Sequence, residues 1–215
     1  MAITFQQVIP PFSAGSGNAS PAFTPISGSD ELAMFIWDGS TGNSPTVTGT
    51  GTGAWVTLSS NASQVQQSTA YNLGPIGAAS QTITVSDAGG SFPNCYPTEY
   101  SGVGTVTNGV GIYRPTPGAG AGLILGTSIS VPTGSTLIAL CVNYGDSTAI
   151  TTSNGNSRGT GTLGGNYYIY ADYAGAGSAI QPAFTCTAGG TDNFHVIQMM
   201  LNPPAGNNAT IAWWT

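Results

Sequence analysis

Lysine is absent from this 215-residue chain, and Arg114 and Arg158 are its only strongly basic side chains. Charged residues make up 5% of the sequence, against about 25% in an average soluble domain, and the net charge is -6. Two arginines cannot displace the counterions of a nucleic acid or hold the chain on an anionic membrane surface. No nucleic-acid or membrane partner is therefore expected. The apolar runs are all far shorter than the roughly 20 residues of a membrane-spanning helix. The opening MAITFQQVIPPF has neither a basic start nor a long apolar core, so it does not read as a secretory signal. Cysteine is scarce too. Cys95, Cys141 and Cys186 form no CxxC pair and no zinc-ligand spacing, and they read as small buried hydrophobes.

Reactive groupings are equally thin. His195 is the single histidine, and no GxSxG string accompanies it. In an alternating strand, its expected role is that of a hydrogen-bonded structural residue. The carboxylates fall mostly at turns, where aspartate is favoured for its local hydrogen bonds. Asp38 and Asp146 each follow an apolar strand, but no DxDxDG-type run supplies the six to eight oxygens that calcium takes. Arg114 and Arg158 could each hold a carboxylate across an interface or be solvated. No catalytic residue, metal or cofactor is expected, and the chain does not read as an enzyme.

What fills the sequence instead is glycine, serine, threonine and short apolar runs. A disordered chain would be charged and poor in aromatics, and this one is neither, so it reads as folded. The most apolar run is Ser135 to Tyr144, STLIALCVNY, set between the turn strings VPTG and YGDS. Its length and flanks predict a buried central strand. Leu137, Ala139 and Cys141 should share one face, and Ile138, Leu140 and Val142 the other. The run has a counterpart in Asp30 to Trp37, DELAMFIW, with Leu32, Met34 and Ile36 on one face.

Further strands are expected at 3–9, 22–26, 68–73, 81–86, 95–103, 123–131, 149–152, 167–173, 179–188 and 195–201. Pro97 should confine its strand to an edge or a bulge. The tract TVTGTGTGAWVTL at 46–58 fits either a strand with one bare face or a loop. SNGNSRGTGTLGG at 153–165 reads as a long polar loop. The order of strands and the echo of Ala88–Gly90 in Ala188–Gly190 point to a tandem repeat. The expectation is an all-β chain of two antiparallel β-sandwich units, 1–103 and 104–215 with a C-terminal tail, of jelly-roll or immunoglobulin-like type. A single larger sandwich built from both halves is the alternative.

Two aromatic groups stand out. Tyr167, Tyr168, Tyr170 and Tyr173 could stack on sugar rings, or be divided between core and surface. Trp213 and Trp214 close the chain after NPPAGNNA. They could anchor it to a neighbour or complete a final strand.

Two β-rich units, AGG and GAGAG turns, uncharged Ser/Thr/Gly surfaces and no enzyme motif together resemble the accessory virion proteins of tailed bacteriophages, both capsid decoration and fibre types. The resemblance implies a structural, non-enzymatic role in the virion. The implied partners are other copies of the chain in a homotrimer and the major capsid protein. The alternative it carries is a fibre or receptor-binding module recognising a host-surface glycan.

Overall fold

A computed structural model describes residues 2–14, 19–26, 31–38, 45–61, 66–73, 76–86, 93–115, 122–144, 150–152, 154–186 and 193–205. Every element named in it is a β-strand. The first half contributes β1 (Thr4–Val8), β2 (Phe12–Ser13), β3 (Glu31–Asp38), β4 (Thr46–Gly49), β5 (Val56–Asn61), β6 (Gln66–Asn72), β7 (Ile83–Ser86) and β8 (Asn94–Ser101). The second contributes β9 (Thr105–Pro115), β10 (Gly122–Leu125), β11 (Ile129–Val131), β12 (Thr136–Tyr144), β13 (Ile150–Thr152), β14 (Asn156–Leu163), β15 (Asn166–Ala174), β16 (Ser178–Ile180), β17 (Ala183–Cys186) and β18 (Asn193–Asn202).

All the ladders are antiparallel, and each stays within its own half. The large sheet of the first half runs β1-β8-β3-β6-β5, with β2 also on β8. That of the second runs β9-β18-β12-β15-β14. Taken in chain order within each half, these are the same arrangement. A small sheet covers the outer face of each: β4-β7, with single bridges at Ala19 and Phe23, in the first half, and β10-β17-β13 in the second.

The two apolar runs occupy the middle of their sheets, as their composition requires. β12 lies between β15 and β18, with Leu140 opposite Tyr170 on one side and Ile197 on the other. Its alternation sends Leu137, Ala139 and Cys141 towards the small sheet and Ile138, Leu140 and Val142 towards the other half. In β3, Leu32, Met34 and Ile36 face the small sheet, whereas Ala33, Phe35 and Trp37 face the second half. The large sheets thus stack face to face. Phe35 meets Tyr170, Tyr96 meets Tyr168, and Trp37 meets His195. Four sheet layers result, with one core inside each half and a third between them.

The stacking reverses the order. β1 lies by β14, where Val8 meets Gly159; β8 and β3 lie over β15; β6 lies over β18; and β5 lies by β9. Exchanging the two halves reproduces this pattern, as in an isologous two-fold dimer. The link between halves is tight. A side chain at Gly104 would run into Pro204.

Several expectations are corrected. The segment 153–165 is not a loop over its length: 156–163 is the edge strand β14. It returns into β15 through Gly164 and Gly165, with φ of +58° and +82°. Positive φ at both central residues is the two-residue turn that suits paired strands. The strand expected at 123–131 is two, β10 and β11, parted where Gly126 N–H bonds to Pro182 O. The strand expected at 179–188 breaks likewise into β16 and β17 around Pro182. Residues 22–26 form only the bridge at Phe23. The tract 46–58 is strand to Gly49, then a turn, then strand from Val56.

Pro97 is in neither an edge strand nor a bulge of β8, because β8 lies inside the sheet between β3 and β1. An antiparallel residue points its N–H and C=O to the same side. The Pro97 carbonyl accepts from Ile9 N–H at 3.1 Å. Its missing donor therefore faces the break between β1 and β2 at Pro10–Pro11, where the ladder is already interrupted.

Candidate functional site

The site begins with a mismatch in strand length. β15 runs to Ala174, but its neighbour β14 starts only at Asn156, opposite Asp172. Beyond that end a cleft of about 560 Å³ opens between the turn at Asn154–Gly155 and β16. Asn154, Asn156, Asp172 and Gln181 give it polar walls, and Tyr173 and Ile180 an apolar side. Its volume falls within the range of small-molecule sites, about 300–1,000 Å³.

Internal hydrogen bonds hold these walls in place. Asn154 Nδ2 donates to Gln181 O at 2.8 Å, and Asn154 Oδ1 accepts from Ala183 N–H at 3.1 Å. Gln181 Nε2 donates to Gly126 O at 3.0 Å. Asp172 is only 4% exposed. Its Oδ1 accepts from Asn156 Nδ2 at 3.1 Å and its Oδ2 from Arg158 Nε at 2.6 Å. Burying a carboxylate is costly unless it is paired and hydrogen-bonded, and here it is both.

Arg158 reaches Asp172 because of a bulge. Ser157 pairs with Ala171 and Gly159 with Tyr170, leaving Arg158 as the extra residue. A bulge re-aims its side chain. The guanidinium also lies 4.7 Å from the centre of the Phe5 ring in the first half, a cation–π contact. One residue thus closes the charge of the cleft and clamps the two halves together. Phe5 in turn packs edge-on against Tyr100, at 5.5 Å between ring centres.

The four tyrosines of β15 do not share one exposed face. Tyr168 and Tyr170 are buried in the layer between the halves. Tyr173 is buried on the other side of the sheet, where half-buried Tyr167 also packs. Burial raises the hydroxyl pKa of Tyr96, Tyr170 and, to a smaller extent, Tyr168. Trp213 and Trp214 lie outside the described residues, as does Asp146.

His195 is buried in β18 with its ring 5.8 Å from that of Trp37. Desolvation lowers its pKa to about 4, so it is neutral at pH 7. The three cysteines are free and buried, and burial raises the Cys141 thiol well above its usual value. Among the described residues, no group of three or more His, Cys, Asp and Glu is placed to hold a metal ion.

Sequence reasoning missed two buried polar residues. Glu99 is fully buried, accepting from Gln7 Nε2 and from Ile26 N–H. Gln198 exchanges two hydrogen bonds of 2.9 Å with the backbone of Thr127. Both lie in strands and hold a peripheral segment against a sheet. Their alternation marked each as facing inwards or outwards, but nothing in the sequence named the partner. No family of known proteins matches the chain, and neither does any curated protein or solved structure.

Proposed function

We propose that this chain is a structural virion protein, a decoration protein that docks on a phage head, with no enzymatic role. In this reading each half, 1–103 and 104–215, is a jelly-roll unit. The observation that carries it is the repeated strand order. In both halves the first, last and central strands form the large sheet, and a small sheet closes the opposite face. Double-sheet jelly rolls recur in viral capsid and lectin domains. Support also comes from how the polar groups are used. Glu99, Asp172, Gln198 and Asn154 all tie one segment to another, as a load-carrying scaffold requires.

Docking to the major capsid protein and assembly as a homotrimer belong to the same proposal. A chain with 5% charged residues offers little electrostatic resistance to association. The C-terminal Trp213 and Trp214 are its proposed anchor, since buried aromatic rings dominate interface energetics. The test is to purify particles from a lysate containing the chain and locate it by mass spectrometry and electron microscopy. Density on the head at regular positions is expected, and so is its loss in a variant ending at Asn208 that still folds. Particles without the chain, or attachment untouched by the deletion, would overturn the docking and the anchor respectively.

A second reading, a receptor-binding module for surface glycans, draws on one specific observation. The cleft beside Asp172 has the size and mixed polarity of a small-ligand site.

A further inference from the structure

We propose that the cleft at the end of β14 binds one neutral sugar unit, held through a pair of its hydroxyls by Asp172 and Asn156. This deepens the glycan-binding reading and rests on it. Charge narrows the ligand first. Among the described residues, Asp172 is the one carboxylate lining the cleft and Arg158 closes it at 2.6 Å, so these residues offer no free cation to a phosphate or a sialic acid. Among the described residues, no group of three or more His, Cys, Asp and Glu gathers there for a metal ion.

Hydrogen-bonding capacity narrows it further. An ionised carboxylate has about four lone-pair sites. Asn156 and Arg158 occupy one on each oxygen of Asp172. The remaining acceptors, together with Asn156 Oδ1, are fixed in direction by those same bonds. They call for donors, and adjacent hydroxyls on one ring supply two at a matching spacing. The amide of Asn154 is held by bonds through both its ends, so that wall is pre-organised and little ordering is needed on binding.

The lining also carries apolar surface, from Ile180, Ala174 and Ala179 beside the buried Tyr173. A sugar ring has the same mixture, with hydroxyls round its edge and C–H groups on its faces.

The test uses the full chain in saturation-transfer NMR and titration with lactose, maltose and methyl mannoside, with sialyllactose as the charged comparison. Ala179→Phe fills the cleft without removing a polar group, and Asn156→Ala removes one holder of Asp172. At least one neutral sugar should bind the wild type. Ala179→Phe should abolish that signal, and Asn156→Ala should weaken it about tenfold, the effect of losing one good hydrogen bond. Ala179→Phe should keep the wild-type melting curve, and Asn156→Ala should stay folded with a lowered midpoint, since it removes one hydrogen bond from the buried Asp172. Binding that survives Ala179→Phe in a folded variant overturns the cleft and leaves the glycan reading standing. No binding of any neutral sugar overturns both. Preference for sialyllactose over lactose overturns the neutral ligand.

Discussion

Tyr170 carries a hydroxyl into the layer between the two halves, where no protein group accepts or donates to it. Such a group keeps its desolvation penalty, about 1–3 kcal/mol. Tyr170→Phe should therefore leave chemical-denaturation stability unchanged or raise it, whereas Phe35→Ala, which removes the ring beside it, should cost about 3–5 kcal/mol. His195 gives a pH prediction with a definite sign. Its folded pKa of about 4 lies below the ordinary value of about 6.5. Its contribution is thus fully present above pH 6.5 and is lost as pH falls towards 4. At about 1.4 kcal/mol per pKa unit, that loss is about 3 kcal/mol. Comparing wild type with His195→Gln between pH 4 and 8 isolates it, and parallel pH profiles would sink it.

Among the elements, β14 shows best where sequence reading stops. Its residues NSRGTGTL carry almost no apolar signal, and its strand state comes from pairing with the tyrosine-rich β15. The Gly164–Gly165 turn was the one legible sign of that hairpin. By contrast β3 and β12 announced themselves, because a central strand buried on both faces needs a continuous apolar run. The cleft could not have been read at all: it exists because β14 begins opposite Asp172 while β15 runs two residues further, to Ala174, a fact of pairing rather than of composition. The clamp at Arg158 depends equally on a bulge. Arg158→Ala should destabilise the chain by about 1–3 kcal/mol, since it leaves the Asp172 charge buried while the arginine itself is partly solvated. Adding Asp172→Asn should recover part of that loss. Leu140→Ala, in the middle of β12, should cost about 2–5 kcal/mol. Denaturant titration checks all three.

At the scale of the whole molecule, the core shared by the two large sheets couples them. Calorimetry should show one unfolding transition, and substitutions in either half should shift it. Two separate peaks would mean that the layer between the halves contributes little. The all-β class was legible from the sequence, but the stacking was not, since Phe35 and Tyr170 could as well have been core residues of separate sandwiches.

That stacking also frees each face from having to match itself. In a dimer of identical chains, every residue on a two-fold face must suit both its own copy and its neighbour. Joining two copies end to end lifts the restriction and holds the pair together at any dilution. The two faces here are not alike. β3 and β8 bring Phe35, Trp37, Tyr96 and Tyr100, whereas their counterparts β12 and β18 bring Ile138, Leu140, Val142, Ile197, Met199 and Leu201. Across them Phe35 meets Tyr170 and Tyr96 meets Tyr168, while the aliphatic chains of β12 and β18 fill the rest of the layer, so neither face has to serve as its own partner.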